Sequence, residues 1–387
     1  MILTLLLLSL YAIAIYWGKL RSSLRQAPRL TILPHLLAAD PKISLIIPAY
    51  NEAENIEDCI KAVLASTQLN AEKLEVLVVD DQSTDNTLAL AKTFEDPRLT
   101  IICGISRPTD KNWVGKNWAC TQAAAVATGE FLLFIDADVR LKPKAIETAV
   151  NQAEVEKIDL LSLAPAIVCG CLAEWLVQPI MVNCLAVGFD FAQVNDPNTE
   201  IAFAAGPFML FRRAAYEKLG GHAAFAEEVV EDVEMARAIK AAGMKLQLLL
   251  GSELMSVRMY RSWGALWEGW TKNIYQGGQR KLGTTLFFAL SMVIIYTLPL
   301  LCLLGLGSKY LSGNWGRWDY LSLGLGGIAL AAHYNLRVMG GKDSHTPPRY
   351  WWLSGVGGTV IAAAAITSII KTETGWGWTW RGRSLSS

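Results

Sequence analysis

The stretch "FLLFIDADVR", Phe131 to Arg140, joins five apolar residues to two carboxylates, Asp136 and Asp138, with one small residue between them. A short uninterrupted run of branched and aromatic residues predicts a strand buried on both faces. Open α/β sheets bind their ligands beyond the carboxyl ends of such strands. Two acids at that edge repel each other and lose solvation unless something positive joins them. A divalent cation meets that need, so the stretch predicts an α/β domain with a cation-assisted site at one sheet edge.

The flanking sequence fits the same plan. "ISLIIPAY" predicts a strand ending at Pro48, and "NEAENIEDCIKAVLAS" an amphipathic helix with an acidic first turn. "KLEVLVVDD" predicts a second buried strand closed by Asp80 and Asp81, and "STDNTLALAKTF" a helix capped by Ser83 or Thr84. A short strand, "LTIICG", a loop rich in Lys, Trp and Gly, and a helix, "NWACTQAAAVATG", lead into the strand at Phe131. This alternation predicts a mostly parallel sheet covered by helices on both faces. A third acidic cluster, "EEVVEDVE", holds Glu228, Glu231 and Asp232. Each acid group alone is an ordinary turn or cap feature. Their order suits a nucleotide-diphosphate substrate: one pair for base or ribose, one for a metal at the leaving group, and a later acid to deprotonate an incoming hydroxyl.

Composition adds a membrane. Hydrophobic residues make up 52% of the 387 and charged residues 18%, and the apolar excess gathers in blocks. "MILTLLLLSLYAIAIYW" is followed by Lys19, Arg21, Arg25 and Arg29, the reverse of a cleaved signal peptide's order. An uncleaved anchor is expected, with the basic flank and the domain after it in the cytoplasm. Thr284 to Gly307 and Tyr350 to Ile370 meet the roughly 20 residues that a spanning helix needs, and Tyr320 to Leu336 is a weaker block. The Gly-rich faces of the last two blocks suit close helix packing. "LAEWLVQPIMVNCLAVGFDF" and "RSWGALWEGWTKNIY" read as segments at the membrane interface. The expected organisation is an anchor over 1–18, a catalytic domain over 40–255, an interfacial segment over 256–283, about three membrane helices over 284–370, and a Trp- and Arg-containing tail over 371–387. Four spans put that tail outside, against the inside preference of Lys371, Arg381 and Arg383.

Some classes are excluded. Lys plus Arg and Asp plus Glu number 35 each, which gives no charge basis for nucleic-acid binding. The seven cysteines lack metal spacing, and the four histidines, at 35, 222, 333 and 345, give no basis for a His-based zinc site. No G-x-G-x-x-G follows the first strand, against a dinucleotide oxidoreductase. A nucleotide-binding transporter or scaffold predicts ionisable residues along the spans, which offer little beyond His333.

The motifs "IIPAYNE", "VVDDQSTDNT", "WVGKNWACTQAA", "LLFIDADV", "GPFMLFRRAAYEKLGG" and "EDVEMARAIKAAG" together resemble those of the family 2 glycosyltransferases with the GT-A fold, in their membrane-anchored branch. The resemblance runs from Ile43 to about Lys281. It implies a nucleotide-diphospho-sugar donor, with Pro48, Tyr50 and Glu52 lining the nucleotide pocket and Asp81 reading the base. It implies that Lys116 meets the diphosphate or sugar. Asp136 and Asp138 become the acid pair that holds Mg²⁺ or Mn²⁺, with Asp138 the direct ligand. Asp232 becomes the general base of an inverting displacement, with Glu231 and Glu228 behind it. Arg258 or Arg261 of "RMYRSW" is placed to stabilise the leaving diphosphate, although Trp263 arrives one residue later than in polymer-forming relatives. The loop and tail look like those of bacterial enzymes that glycosylate carotenoids, and also of hopanoid-associated and ceramide-type relatives; a polyprenyl-phosphate sugar transferase, which shares the fold and donor chemistry, is the nearest enzymatic alternative. The implied acceptor is a hydroxyl of a membrane lipid, with a carotenoid first. The implied setting is a multi-pass protein of the cell membrane.

Overall fold

The computed structural model describes residues 1–32, 41–109 and 111–385, apart from the side chain of Ser384. His35, the start of the expected catalytic domain at residue 40, and the last two residues of the tail lie outside the described residues. The chain divides into a helical unit, formed by Met1–Gln26, Val168–Gly188 and Tyr260–Ser386, and an α/β unit, formed by Ala27–Ile167 and Phe189–Met259.

Helix α1 (Ile2–Gln26) opens the helical unit. The α/β unit then runs β1 (Ile43–Ala49), α2 (Ile56–Ala65), β2 (Leu74–Asp80), α3 (Thr87–Ala91), β3 (Leu99–Cys103), α4 (Gly115–Val126) and β4 (Phe131–Phe134). It continues with β5 (Val139–Leu141), α5 (Ala145–Val155), β6 (Leu160–Ala164) and β7 (Ala166–Ile167). α6 (Leu172–Gly188) returns to the helical unit. The α/β unit ends with α7 (Phe191–Asn195), β8 (Met209–Arg212), α8 (Arg213–Lys218), α9 (Glu231–Ala241), β9 (Leu246–Leu250) and β10 (Met255–Val257).

Seven strands form one sheet in the order β3-β2-β1-β4-β8-β6-β9. The pairings are parallel except at β8, which runs against both β4 and β6. β4 lies at the centre, and all four of its residues are buried, as an apolar run without alternation requires. A second, small sheet in the order β5-β10-β7 takes the chain just past Asp138. Two local expectations need correction. Ser83 and Thr84 do not cap a helix, because α3 starts only at Thr87. Ser83 Oγ instead accepts from the Asn51 amide at 3.0 Å, and the Thr84 amide donates to Asn51 Oδ1 at 2.8 Å. The helix after β1 likewise starts at Ile56, because Asn55 Nδ2 donates back to Glu52 Oε2 at 2.8 Å and holds a turn there. The bonds of Ser83 and Thr84 to Asn51 join two loops at the carboxyl end of the sheet.

The rest of the helical unit comprises α10 (Trp263–Gly277), α11 (Leu282–Met292), α12 (Leu298–Leu311), α13 (Arg317–Ser344), α14 (Ser354–Thr374) and a hairpin of β11 (Thr379–Trp380) and β12 (Arg383–Ser384). A π-helical turn, Val293–Thr297, joins α11 to α12. Three stretches are long and apolar enough to cross a membrane: Ile2–Gln26, Leu282–Leu311 and Trp351–Thr374. The Tyr320 to Leu336 block lies inside α13, which is not among them, so the expected four spans reduce to three candidates. Nor does α6 lie open on one face as an interfacial helix would. Its polar residues are buried and bonded: Gln178 Oε1 accepts from Trp270 Nε1 at 2.8 Å, and Asn183 Nδ2 donates to the Leu336 carbonyl at 3.2 Å. His333 is a core residue of the same kind, 2.8 Å from the Ile295 carbonyl in the π-helical turn.

Small residues set how closely these helices approach. A β-carbon at Gly357 of α14 would stand 2.3 Å from the Leu176 carbonyl oxygen, and one at Gly358 would stand 2.4 Å from Tyr296 Cβ. Gly357→Ala is therefore expected to destabilise the helical unit by about 1–3 kcal/mol, the usual cost of overpacking. Thermal unfolding in detergent measures this, and an unchanged midpoint would contradict the packing described.

Candidate active site

The central strand delivers the two acids. The β4 ladder ends at Phe134, and the Ile135 amide still donates to the Ile46 carbonyl at 3.0 Å. The chain then turns, the Val139 amide donating to the Asp136 carbonyl at 3.1 Å, and β5 begins. Asp136 and Asp138 thus stand on either side of one turn. The Arg258 amide, just beyond β10, donates to the Asp138 carbonyl at 3.5 Å and joins Arg258 to that turn through its backbone. Arg261 is a residue of the helical unit.

Lys116, the second residue of α4, reaches this edge from the opposite wall. Its Nζ lies 2.7 Å from Asp136 Oδ1 and 2.8 Å from Glu231 Oε1. The expectation put a diphosphate or sugar at this ammonium; the structure places it as a bridge between two carboxylates. Asn117 holds the bridge in register. It is fully buried, and its Nδ2 donates to the Phe225 and Glu228 carbonyls at 2.6 and 2.9 Å. The Val114 amide donates to the Ala226 carbonyl at 2.8 Å. These bonds fix the start of α4 against the loop that runs into α9.

Glu231 and Asp232 open α9, where unpaired amides and the helix dipole favour acids. Asp232 Oδ2 accepts from the Gly206 amide at 2.9 Å, and Oδ1 accepts from the Val233 amide at 2.9 Å. Each oxygen keeps a further lone pair. A β-carbon at Gly206 would stand 2.9 Å from Asp232 Oδ2 and 3.4 Å from Lys116 Nζ, so a larger residue there would push both groups aside. Burial, with Glu231 beside it, raises the Asp232 carboxyl to about 6, while Lys116 and the two amides pull the other way. Burial opposes the charge on Lys116, yet Asp136, Glu231 and Asp232 together hold its ammonium well above the usual lysine range. Lys116 therefore stays charged, and Asp232 titrates near neutrality.

The residues expected to line a nucleotide pocket lie at the ends of β1 and β2. Pro48 is in β1, Tyr50 and Glu52 follow it, and the Asp81 amide donates to the Ala49 carbonyl at 2.8 Å. The Glu52 amide donates to Thr87 Oγ1 at 2.7 Å, tying this loop to α3. Asp81 is buried, with Oδ2 at 3.5 Å from Arg107 Nη2. A β-carbon at Gly115 would meet both, at 2.7 Å from Asp81 Oδ2 and 2.9 Å from Arg107 Nη2. Gly115 thus lets the start of α4 approach Asp81 while Lys116 reaches Asp136. Arg107, Asn117 and Gly206 were not singled out from the sequence, since each acts through a distant partner. Among the described residues, no group of three or more His, Cys, Asp or Glu side chains is arranged to hold a metal ion. A metal ion held there would need most of its ligands from a bound substrate and water. Asp136 and Asp138 fit that sparse donor set, and Asp136 already carries a cation in the form of Lys116.

The profile described as Glycosyl transferase family 2 matches residues 44–220, which contain every strand of the large sheet but β1's first residue and β9. The chain carries a family 2 glycosyltransferase domain. This glycosyltransferase domain is 27% identical over 238 residues to 4,4'-diaponeurosporenoate glycosyltransferase of Staphylococcus aureus strain USA300. The counterpart from strain MRSA252 is 26% identical over the same length. Each match covers 61% of this chain and spans 61% of the length of the curated relative. Among solved structures, the mannosyltransferase PcManGT from Pyrobaculum calidifontis, in complex with GDP-Man and Mn²⁺, aligns with a TM-score of 0.59 at 18% identity. That alignment covers 96% of this chain and 99% of the other, and establishes the GT-A fold. Glu231 and Asp232 lie beyond the family match, so their placement rests on the geometry above.

Asn117→Ala is expected to strip the buried carbonyls of Phe225 and Glu228 of their donor and destabilise the glycosyltransferase domain by about 1–3 kcal/mol. Chemical denaturation measures the loss; an unchanged midpoint would show that other groups hold the start of α4.

Proposed function

We propose that the chain is an inverting, metal-dependent glycosyltransferase of the cell membrane. It moves one sugar from a nucleotide-diphospho-sugar to a hydroxyl of a membrane-embedded lipid, with a carotenoid as the first acceptor. One observation carries the reading: Asp232, held by two backbone amides and raised to about 6, sits in the same cluster as Lys116, Asp136 and Glu231. A carboxylate oriented from its own helix start, with lone pairs left and a pKa near neutrality, is equipped to accept a proton from a hydroxyl. The names of the Staphylococcus aureus relatives support the carotenoid, and the three long apolar stretches support an acceptor carried in lipid.

The roles follow from position. Pro48, Tyr50 and Glu52 flank the nucleotide, and Asp81, oriented by Arg107, takes a hydrogen bond from the base. Asp138 with Asp136 would hold Mg²⁺ or Mn²⁺, which would neutralise charge on the departing diphosphate. The Mn²⁺ and GDP-Man present in PcManGT support this choice of metal and donor class. Lys116 keeps positive charge between the acid pair and α9, and limits repulsion between Asp136 and Glu231 when the acceptor's proton reaches Asp232. Arg258, joined to the Asp138 turn, adds positive charge for the diphosphate, and Arg261 is the second candidate for that task. The expected parts remain an anchor over 1–18, the transferase domain over 40–255, an interfacial segment over 256–283, membrane helices within 284–370 and a tail over 371–387. Lys19, Arg21 and Arg25 after the anchor favour a cytoplasmic transferase domain.

Asp232→Asn is expected to keep donor binding and to lose turnover by at least about 10²-fold, the usual scale for a general base. An equal loss of donor affinity would contradict its role. Asp138→Asn should abolish transfer and metal-dependent donor binding while the circular dichroism spectrum stays unchanged. Full activity of the native protein in excess chelator would contradict metal dependence. The product should carry the anomeric configuration opposite to the donor's.

A further inference from the structure

Arg337, in α13, is 3% exposed within the helical unit. Its Nη2 donates to the Trp175 carbonyl at 2.7 Å and its Nε to Ser354 Oγ at 3.4 Å, while Nη1 has no hydrogen-bond partner. Among the described residues, no Asp or Glu forms an ion pair with it. Carbonyls and hydroxyls satisfy donors but leave the charge uncompensated, and a buried guanidinium gains strongly from an anion beside it. A second guanidinium meets the same tryptophan. Arg349, which is exposed, lies over the Trp175 ring at 5.7 Å and over the Tyr350 ring at 4.9 Å, and its Nη2 donates to the Tyr350 hydroxyl at 3.1 Å. It too lacks an ion pair among the described residues. Trp175 thus has a buried guanidinium on its carbonyl and an exposed one on its ring.

The surroundings define what kind of anion fits. Tyr350 packs edge-on to Trp352 at 5.7 Å, and Tyr334 to Trp351 at 5.4 Å. Trp352 is 53% exposed and Tyr334 45% exposed, so the guanidinium pair is bordered by open aromatic surface. Aromatic rings beside arginines mark the boundary between lipid tails and headgroups. A guanidinium also presents a planar fork that matches carboxylate or phosphate oxygens.

We propose that Arg337 and Arg349 form a recognition site for an acidic amphiphile. Its carboxylate or phosphate headgroup faces the two guanidinium groups, and its apolar chain lies along Tyr334, Trp351 and Trp352. All its residues belong to the helical unit. Arg349 gives the headgroup its first, solvent-side contact, and Arg337 supplies the buried charge that retains it.

The test uses the full chain in neutral detergent and native mass spectrometry with four probes. Oleate and dioleoyl phosphatidic acid are acidic; oleyl alcohol and dioleoylglycerol are their neutral counterparts. At least one acidic probe is expected to bind about tenfold or more tightly than its counterpart. Preference for oleate alone assigns a carboxylate, and preference for phosphatidic acid alone assigns a phosphate. Arg337→Gln should bring acidic and neutral probes together, while Arg337→Lys should keep part of the difference. Should Arg337→Gln fail to fold, Arg349→Gln at the exposed position is expected to reduce the preference severalfold. Equal binding of acidic and neutral probes by the native protein would overturn the proposal. So would an undiminished preference in folded Arg337→Gln or in Arg349→Gln.

Discussion

Lys116 bridges Asp136 and Glu231, and the remaining arrangement of the site depends on that bridge. Without it, three carboxylates at one sheet edge would repel one another. Around it, each supporting element has a definite task. β4 brings Asp136 out of the core, Asn117 fixes the start of α4, and the first turn of α9 presents Glu231 and Asp232 together. Gly206 keeps a wall free of side chains where Asp232 and the ammonium crowd closest, and Gly115 does the same beside Asp81 and Arg107.

The bridge also separates the roles of two adjacent acids. Glu231 is buried and tied to Lys116. Asp232 is held by amides alone, and burial beside Glu231 raises it to about 6. Neighbouring residues on one helix start thus differ in their partners. The proposed division of roles rests on those partners, with Asp232 as the base and Glu231 as part of its support.

Much of the fold was legible because it is local. The apolar run at Phe131 became the central, wholly buried β4, and the acids that close it stand where the run ends. Strand β1, strand β2 and helix α4 likewise follow from continuous patterns of burial. What escaped the sequence depends on distant partners. Ser83 and Thr84 look like caps, but Asn51, more than thirty positions away, takes both groups. The partnership of Lys116 with Glu231 spans more than a hundred positions and leaves no periodic trace. In the helical unit, hydropathy passed over Arg337, whose burial is decided by α6 and α14 rather than by its neighbours in sequence.

The central claim is that Asp232 accepts the proton, and the pH dependence of kcat/KM tests it most directly. A raised carboxyl is protonated, and inert as a base, below its pKa. The rate should therefore rise with pH to a plateau, with an inflection near 6 rather than near the ordinary aspartate value of about 4. Asp232→Asn should remove that inflection from whatever activity remains. A profile flat from pH 4.5 to 7.5, or the same inflection persisting in Asp232→Asn, would contradict the account.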